Sequence, residues 1–159
     1  MTINIRPTDS SDKAAIMQIL HNTPEFKPAE VIVAGDLLDS YLQQGTASGY
    51  YVLTAVENST IYGYVCFGDT PLTEGTWDVY WIAVSHEQQG KGIGRALMSA
   101  TEDAVKSHNG RLILIETSST AEYDKTRRFY HGIGYTIICR IPEFYMPGDD
   151  LVIFHKVLT

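Results

Sequence analysis

The sequence contains no apolar run approaching the roughly 20 residues of a membrane span. Its opening, MTINIRPTDS, lacks the basic start and apolar stretch of a signal peptide. These absences lead to the expectation of a cytoplasmic protein. Cysteine is scarce: Cys66 and Cys139 each lie inside an apolar run (YVCFG and IICRI), with no C-x-x-C pair. Neither a disulfide framework nor a thiolate metal site can be built from them, and both are expected to be buried free thiols. The histidines (His21, His86, His108, His131, His155) show no H-E-x-x-H or other ligand spacing, so no metal is expected. Basic residues are in deficit, 12 Lys and Arg against 19 Asp and Glu, for a net charge of −7. A nucleic-acid surface needs clustered cations, so nucleic acid is excluded as the main partner. The acidic surplus suits solubility and a cationic substrate alike. Repeats, low-complexity tracts and interdomain linkers are absent too. A chain of 159 residues therefore reads as one domain, 1–159, large enough to bury its own core.

What is present alternates between strand and helix signals. Residues 2–7 alternate as a short strand stopped by Pro7. Ser10 or Ser11 can cap a helix through Ile16 and Leu20, and a second helix runs over 29–44, closed by Gly45. Residues 50–56 and 61–67 form a hairpin about Glu57-Asn58-Ser59-Thr60, and a long strand follows over 77–84. Ile93, Leu97, Ala100 and Ala104 recur at helical spacing. Residues 112–115 make a strand, 123–131 a helix stopped by Gly132 and Gly134, and 135–141 and 151–157 two last strands about a turn-rich 142–150. This order predicts an α/β (α+β) fold: a mixed, largely antiparallel sheet of about seven strands flanked by about four helices.

The densest signal is Gln89-Gly90-Lys91-Gly92-Ile93-Gly94-Arg95, between the apolar strand and the helix that follows it. Glycines at alternate positions bare the backbone of a strand-to-helix turn. A helix start offers unpaired N–H groups and the positive end of its dipole, so a phosphate or diphosphate is the natural guest. The spacing fits neither G-x-G-x-x-G nor G-x-x-x-x-G-K-[ST], which excludes the dinucleotide fingerprint and the P-loop. It is Q-x-x-G-x-G, which resembles the acyl-coenzyme A signature of the GNAT superfamily of N-acetyltransferases. Phe129-Tyr130-His131-Gly132-Ile133-Gly134-Tyr135 resembles that superfamily's second signature, F-Y-x-x-x-G-[FY].

The resemblance implies that acetyl-CoA is the cosubstrate. Its diphosphate would lie on the amides of Gln89, Gly90, Lys91, Gly92, Ile93, Gly94 and Arg95. Its pantetheine arm would pair with the backbone of Ile82, Ala83 and Val84, where the fourth strand splays from the fifth. Val84 N–H would serve as oxyanion donor. Lys91 and Arg95 would add charge, and Arg127 and Arg128 would approach the 3′-phosphate. Tyr123 stands where many members place a pantetheine-bonding Asn, so that contact passes to a hydroxyl. Tyr130 takes the position of the general acid that protonates the departing thiolate. Asp78 is the candidate general base, with Glu116 as its rival. Strand alternation places Asp78, Tyr80 and Ile82 on one face.

The acceptor is a small-molecule amine or a protein or peptide amine. Its cleft is expected among the first two helices, the loop 21–28, Tyr41, Tyr80, Tyr145 and Asp149. A catalytically silent acyl-CoA-binding sensor or scaffold is the alternative, disfavoured by the presence of Tyr130 and Asp78. The resemblance also leaves a homodimer open.

Overall fold

The computed structural model describes residues 2–159. In chain order the elements are β1 (Asn4–Pro7), α1 (Lys13–His21), α2 (Pro28–Gln44), β2 (Tyr51–Glu57), β3 (Thr60–Asp69), β4 (Thr76–Val84), α3 (Ile93–Ser107), β5 (Leu112–Ser118), α4 (Asp124–Gly132), β6 (Thr136–Met146) and β7 (Asp149–Val157), with short 3₁₀ turns between some of them. The strands form one sheet in the order β1-β2-β3-β4-β5-β7-β6. Every neighbouring pair is antiparallel except β4 and β5. No helix among the described residues is long and apolar enough to cross a membrane.

Local chemistry accounts for the boundaries. Asp9, rather than Ser10 or Ser11, receives the Ser11 N–H and forms a reciprocal capping box with Asp12 before α1. Pro28 opens α2, where its missing N–H costs nothing. Asn58 and Ser59 both take positive φ, as a two-residue hairpin turn requires.

Helices cover both faces of the sheet. On one face α3 and α4 pack Ile93, Leu97, Met98, Val105 and Tyr130 onto Val65, Phe67, Trp77, Ile113, Ile115, Val152 and Phe154. On the other, α1 and α2 pack Ile16, Leu20, Val31 and Leu38 onto Val52, Tyr64, Cys66 and Ala83. The buried stripe of α3 turns slightly from the expected one. Met98, Thr101 and Val105 are buried with Ile93 and Leu97 while Ala100 and Ala104 sit at its margin, because at about 100° per residue the face turned to the sheet centres near Thr101 rather than on the 93-97-100-104 row.

Two expectations are corrected at the far edge. The final strands extend well into residues 142–150, leaving only a tight turn between Met146 and Asp149. Pro142 is tolerated because β6 is the outermost strand. A register shift between Ile141 and Met146, with Glu143 at positive φ, absorbs the mismatch. Every residue of β6 is exposed, Cys139 among them, so only Cys66 is the buried thiol that was expected of both. Burial pushes the Cys66 thiol up to about 12, which leaves it protonated and inert.

Candidate active site

The site begins where two strands part. β4 pairs with β5 only from Thr76 to Val79, opposite Leu112 to Ile115. Immediately beyond, Tyr80 is an extra residue: Cys66 pairs with Trp81 and Phe67 with Val79. A bulge bends its strand, which carries the end of β4 away from β5. The same bulge resets the alternation. Trp77 and Val79 face α3, but past Tyr80 it is Ile82 and Val84 that pack on that side, while Trp81 and Ala83 turn to α1 and α2. The expected common face of Asp78, Tyr80 and Ile82 is therefore broken at Ile82.

Backbone pairing shows what the opening exposes. Ser85 N–H donates to Tyr62 O at 2.8 Å, so residues 83 and 85 bond to β3, while Ile82 and Val84 turn their backbone groups toward the splay. Val84 O accepts from Gln89 Nε2 at 3.2 Å. Val84 N–H faces the opening without a strand partner.

The glycine loop lies at the mouth of this opening. Gly90 and Gly92 have φ of +77° and +84°, and a Cβ on either would meet nothing within 4 Å among the described residues beyond its chain neighbours. Their requirement is the left-handed backbone and free space above it. Gly94 serves differently: a Cβ there would lie 3.1 Å from the Phe129 ring, so its bareness lets α4 pack against the start of α3. The first helical bond of α3 runs from Ala96 N–H to Gly92 O. The N–H groups of Ile93, Gly94 and Arg95 therefore point out of the helix start. A cleft of about 1010 Å³ joins this loop, the splay and the α4 wall. It can take an extended, amide-bearing, phosphorylated arm, with N–H groups for the phosphates and open strand backbone for the amides.

α4 brings Tyr130 to the wall. Its ring is buried against Phe129, Tyr135 and Phe154. Its hydroxyl makes no hydrogen bond among the described residues, and burial raises its pKa well above that of a free phenol. Thr117, also in the wall, is buried with an unpartnered hydroxyl.

Arg127 is committed elsewhere. Its guanidinium donates to Ser118 O at 2.6 Å and Thr120 O at 3.0 Å and pairs with Asp124, pinning α4 to the end of β5. It does not line the cleft. Lys125 does, and its ammonium donates to Gln89 Oε1 at 2.8 Å. Lys91 donates to Gln88 Oε1 at 3.1 Å and Arg95 to Gly132 O at 3.4 Å. The Tyr123 hydroxyl donates to Glu25 O at 3.1 Å, tying α4 to the loop between α1 and α2.

On the far side of the splay the cleft is lined by Phe26, Glu30, Asp78, Tyr80, Glu116 and Tyr145. Asp78 receives a hydrogen bond from the Thr70 hydroxyl. Burial, reinforced by the Asp78 charge, pushes Tyr80 up to about 12. Burial, then the charges of Glu116, Asp149 and Glu30, does the same to Tyr145. Asp149 is held by the Ser118 hydroxyl at 2.5 Å. Tyr41, on α2, is partly buried against the core that α1 and α2 make with the sheet and does not line the cleft. Trp81 and Lys125 were missed by sequence reasoning, whereas Phe26 and Glu30 fall in the loop and second helix expected at the cleft without being named there. Only Lys125 had a usable signal, its spacing of four from Phe129 within the second signature.

Residues 15–135 match the acetyltransferase (GNAT) family. A GNAT-family structure from Desulfovibrio desulfuricans is 37% identical, covers 99% of this chain and 100% of its own, and superposes with a TM-score of 0.96. The L-methionine sulfoximine/L-methionine sulfone acetyltransferase of Salmonella typhimurium is 28% identical, over 89% of this chain and 84% of its own. The L-amino acid N-acyltransferase of Escherichia coli is 26% identical over the same shares.

Proposed function

The chain belongs to the acetyltransferase (GNAT) family as an acetyl-CoA-dependent N-acetyltransferase, and we propose that it acetylates the primary amine of a small acceptor by direct attack. The observation that carries this reading is the continuity of the cleft. Loop amides, open β4 backbone, the Tyr130 hydroxyl and two carboxylates, Asp78 and Glu116, line one space from end to end.

In this reading the residues divide the work. The N–H groups of residues 90–95 hold the diphosphate, and Ile82 and Val84 pair with the pantetheine arm. Val84 N–H faces the thioester oxygen as the amine adds to its carbon and negative charge grows there. A free alkylammonium is only about 0.04% neutral at pH 7, given a pKa of about 10.4, so a base is needed. Asp78, oriented by Thr70, accepts the amine proton directly or through a water. The C–S bond then breaks, and Tyr130 donates its proton to the departing thiolate. Burial keeps the Tyr130 phenol protonated but also weakens it as an acid, so its proton moves only as negative charge builds up on the departing sulfur.

The acceptor half combines apolar Phe26, Val33 and Trp81 with acidic Glu30 and Glu116 and the Lys27 ammonium, which lies 3.7 Å from Met146 Sδ. A cationic amine fits the carboxylates, and Lys27 is available to an acceptor's carboxylate. The names of the curated relatives make amino acids the first class to test. Thiol release from acetyl-CoA should appear with at least one member of a panel of amino acids, diamines and peptides. Binding without release on every amine would favour a silent sensor.

The base is tested separately. Asp78→Asn should lower kcat/KM by about 10²-fold and displace the acidic limb of its pH profile, as loss of a general base does. Glu116→Gln should leave that limb in place. The reverse pattern assigns the role to Glu116.

A further inference from the structure

We propose that Lys125 is the cation that meets the coenzyme diphosphate, an assignment that rests on the coenzyme lying along the splay as described above.

The geometry comes from the phase of α4. Phe129 lies against the Cα of Gly94, in the first turn of α3. Lys125 precedes Phe129 by one helical turn and so shares its face, and its ammonium reaches Gln89 in the glycine loop at 2.8 Å. Gly132, on the same side, takes the Arg95 guanidinium on its carbonyl. One face of α4 thus lies along the loop, with Lys125 at the end where the bare amides are. Arg127, two residues on, is turned toward β5 and spent on Ser118, Thr120 and Asp124.

Its bond to Gln89 presets the position of Lys125. The Gln89 amide group joins Val84 O to the Lys125 ammonium, linking the end of β4, the loop and α4 in one chain of hydrogen bonds. The ammonium has three donors, and this bond uses only one of them. The other two are free for an anion seated on the loop, in a protein whose net charge of −7 otherwise repels one. Preorganising an exposed lysine in this way also reduces the rotamer entropy lost when the phosphate arrives.

The test compares thioesters that differ in their phosphates. In Lys125→Met the dissociation constant for acetyl-CoA should rise about tenfold, the loss of one charge-assisted contact. The 3′-dephospho form, which keeps the diphosphate, should lose as much. Acetyl-pantetheine, which has no phosphate, should be turned over as by the unaltered protein, and Lys125→Arg should restore most of the affinity. The assignment fails if acetyl-CoA affinity stays within about twofold. It fails too if the dephospho form is spared, which would move Lys125 to the 3′-phosphate. An equal loss with acetyl-pantetheine also overturns it, since the lysine would then act only through the Gln89 tether. Failure of the underlying placement looks different: the unaltered protein would bind acetyl-CoA no better than acetyl-pantetheine.

Discussion

Replacing Tyr130 with phenylalanine is expected to lower kcat by about 10²–10³-fold while leaving the dissociation constant of acetyl-CoA within about twofold. The substitution removes one oxygen. The ring contacts, with centroids 5.5 Å from Phe129 and 5.4 Å from Phe154, remain available to phenylalanine. Because the hydroxyl bonds to nothing among the described residues, its loss should cost the free protein little stability. A stopped-flow record of thiol release, paired with a binding titration, separates the two quantities. An unchanged kcat would mean that water protonates the thiolate. A loss confined to binding would make Tyr130 a packing residue.

The second large effect is expected at Gly92. A β-branched residue at φ +84° is strained by about 1–3 kcal/mol, so Gly92→Val should relax the loop and scatter its N–H groups. Affinity for acetyl-CoA should fall by at least about 10²-fold, because several backbone bonds to a charged group are lost together. Strain and obstruction can be separated. Asparagine tolerates the left-handed region, so Gly92→Asn should keep the turn yet place a side chain in space the chain leaves open. It too should lose affinity. Retained affinity in both Gly92 variants, measured calorimetrically, would remove the diphosphate from this loop.

Both effects fall on residues that were legible in the sequence, for a physical reason. Alternate glycines before an amphipathic helix have few uses other than a bared anion-binding turn, and the order of apolar runs fixed the order of strands and helices. What spacing could not convey was how one element is phased against another. The Tyr80 bulge arises from the register between β3 and β4, so no pattern within β4 announces that Ile82 and Trp81 exchange faces. Lys125 and Arg127 are two apart on one helix and point to different sides. Only the contact between Phe129 and Gly94 fixes which side meets the loop. Tyr123 was legible as a departure from the expected asparagine, but its bond to Glu25 O crosses 98 residues and belongs to tertiary packing. Pro142 suggested a turn. An edge strand can carry a proline because its outer N–H is not needed for pairing.

The most direct measurement is a crystal structure of the protein with acetyl-CoA. Expected are the diphosphate on the N–H groups of residues 90–95, the arm paired with Ile82 and Val84, and the sulfur within hydrogen-bond reach of the Tyr130 hydroxyl. A thioester bound with its diphosphate away from that loop, or with its sulfur beyond reach of Tyr130, would contradict both the binding mode and the chemistry assigned to it.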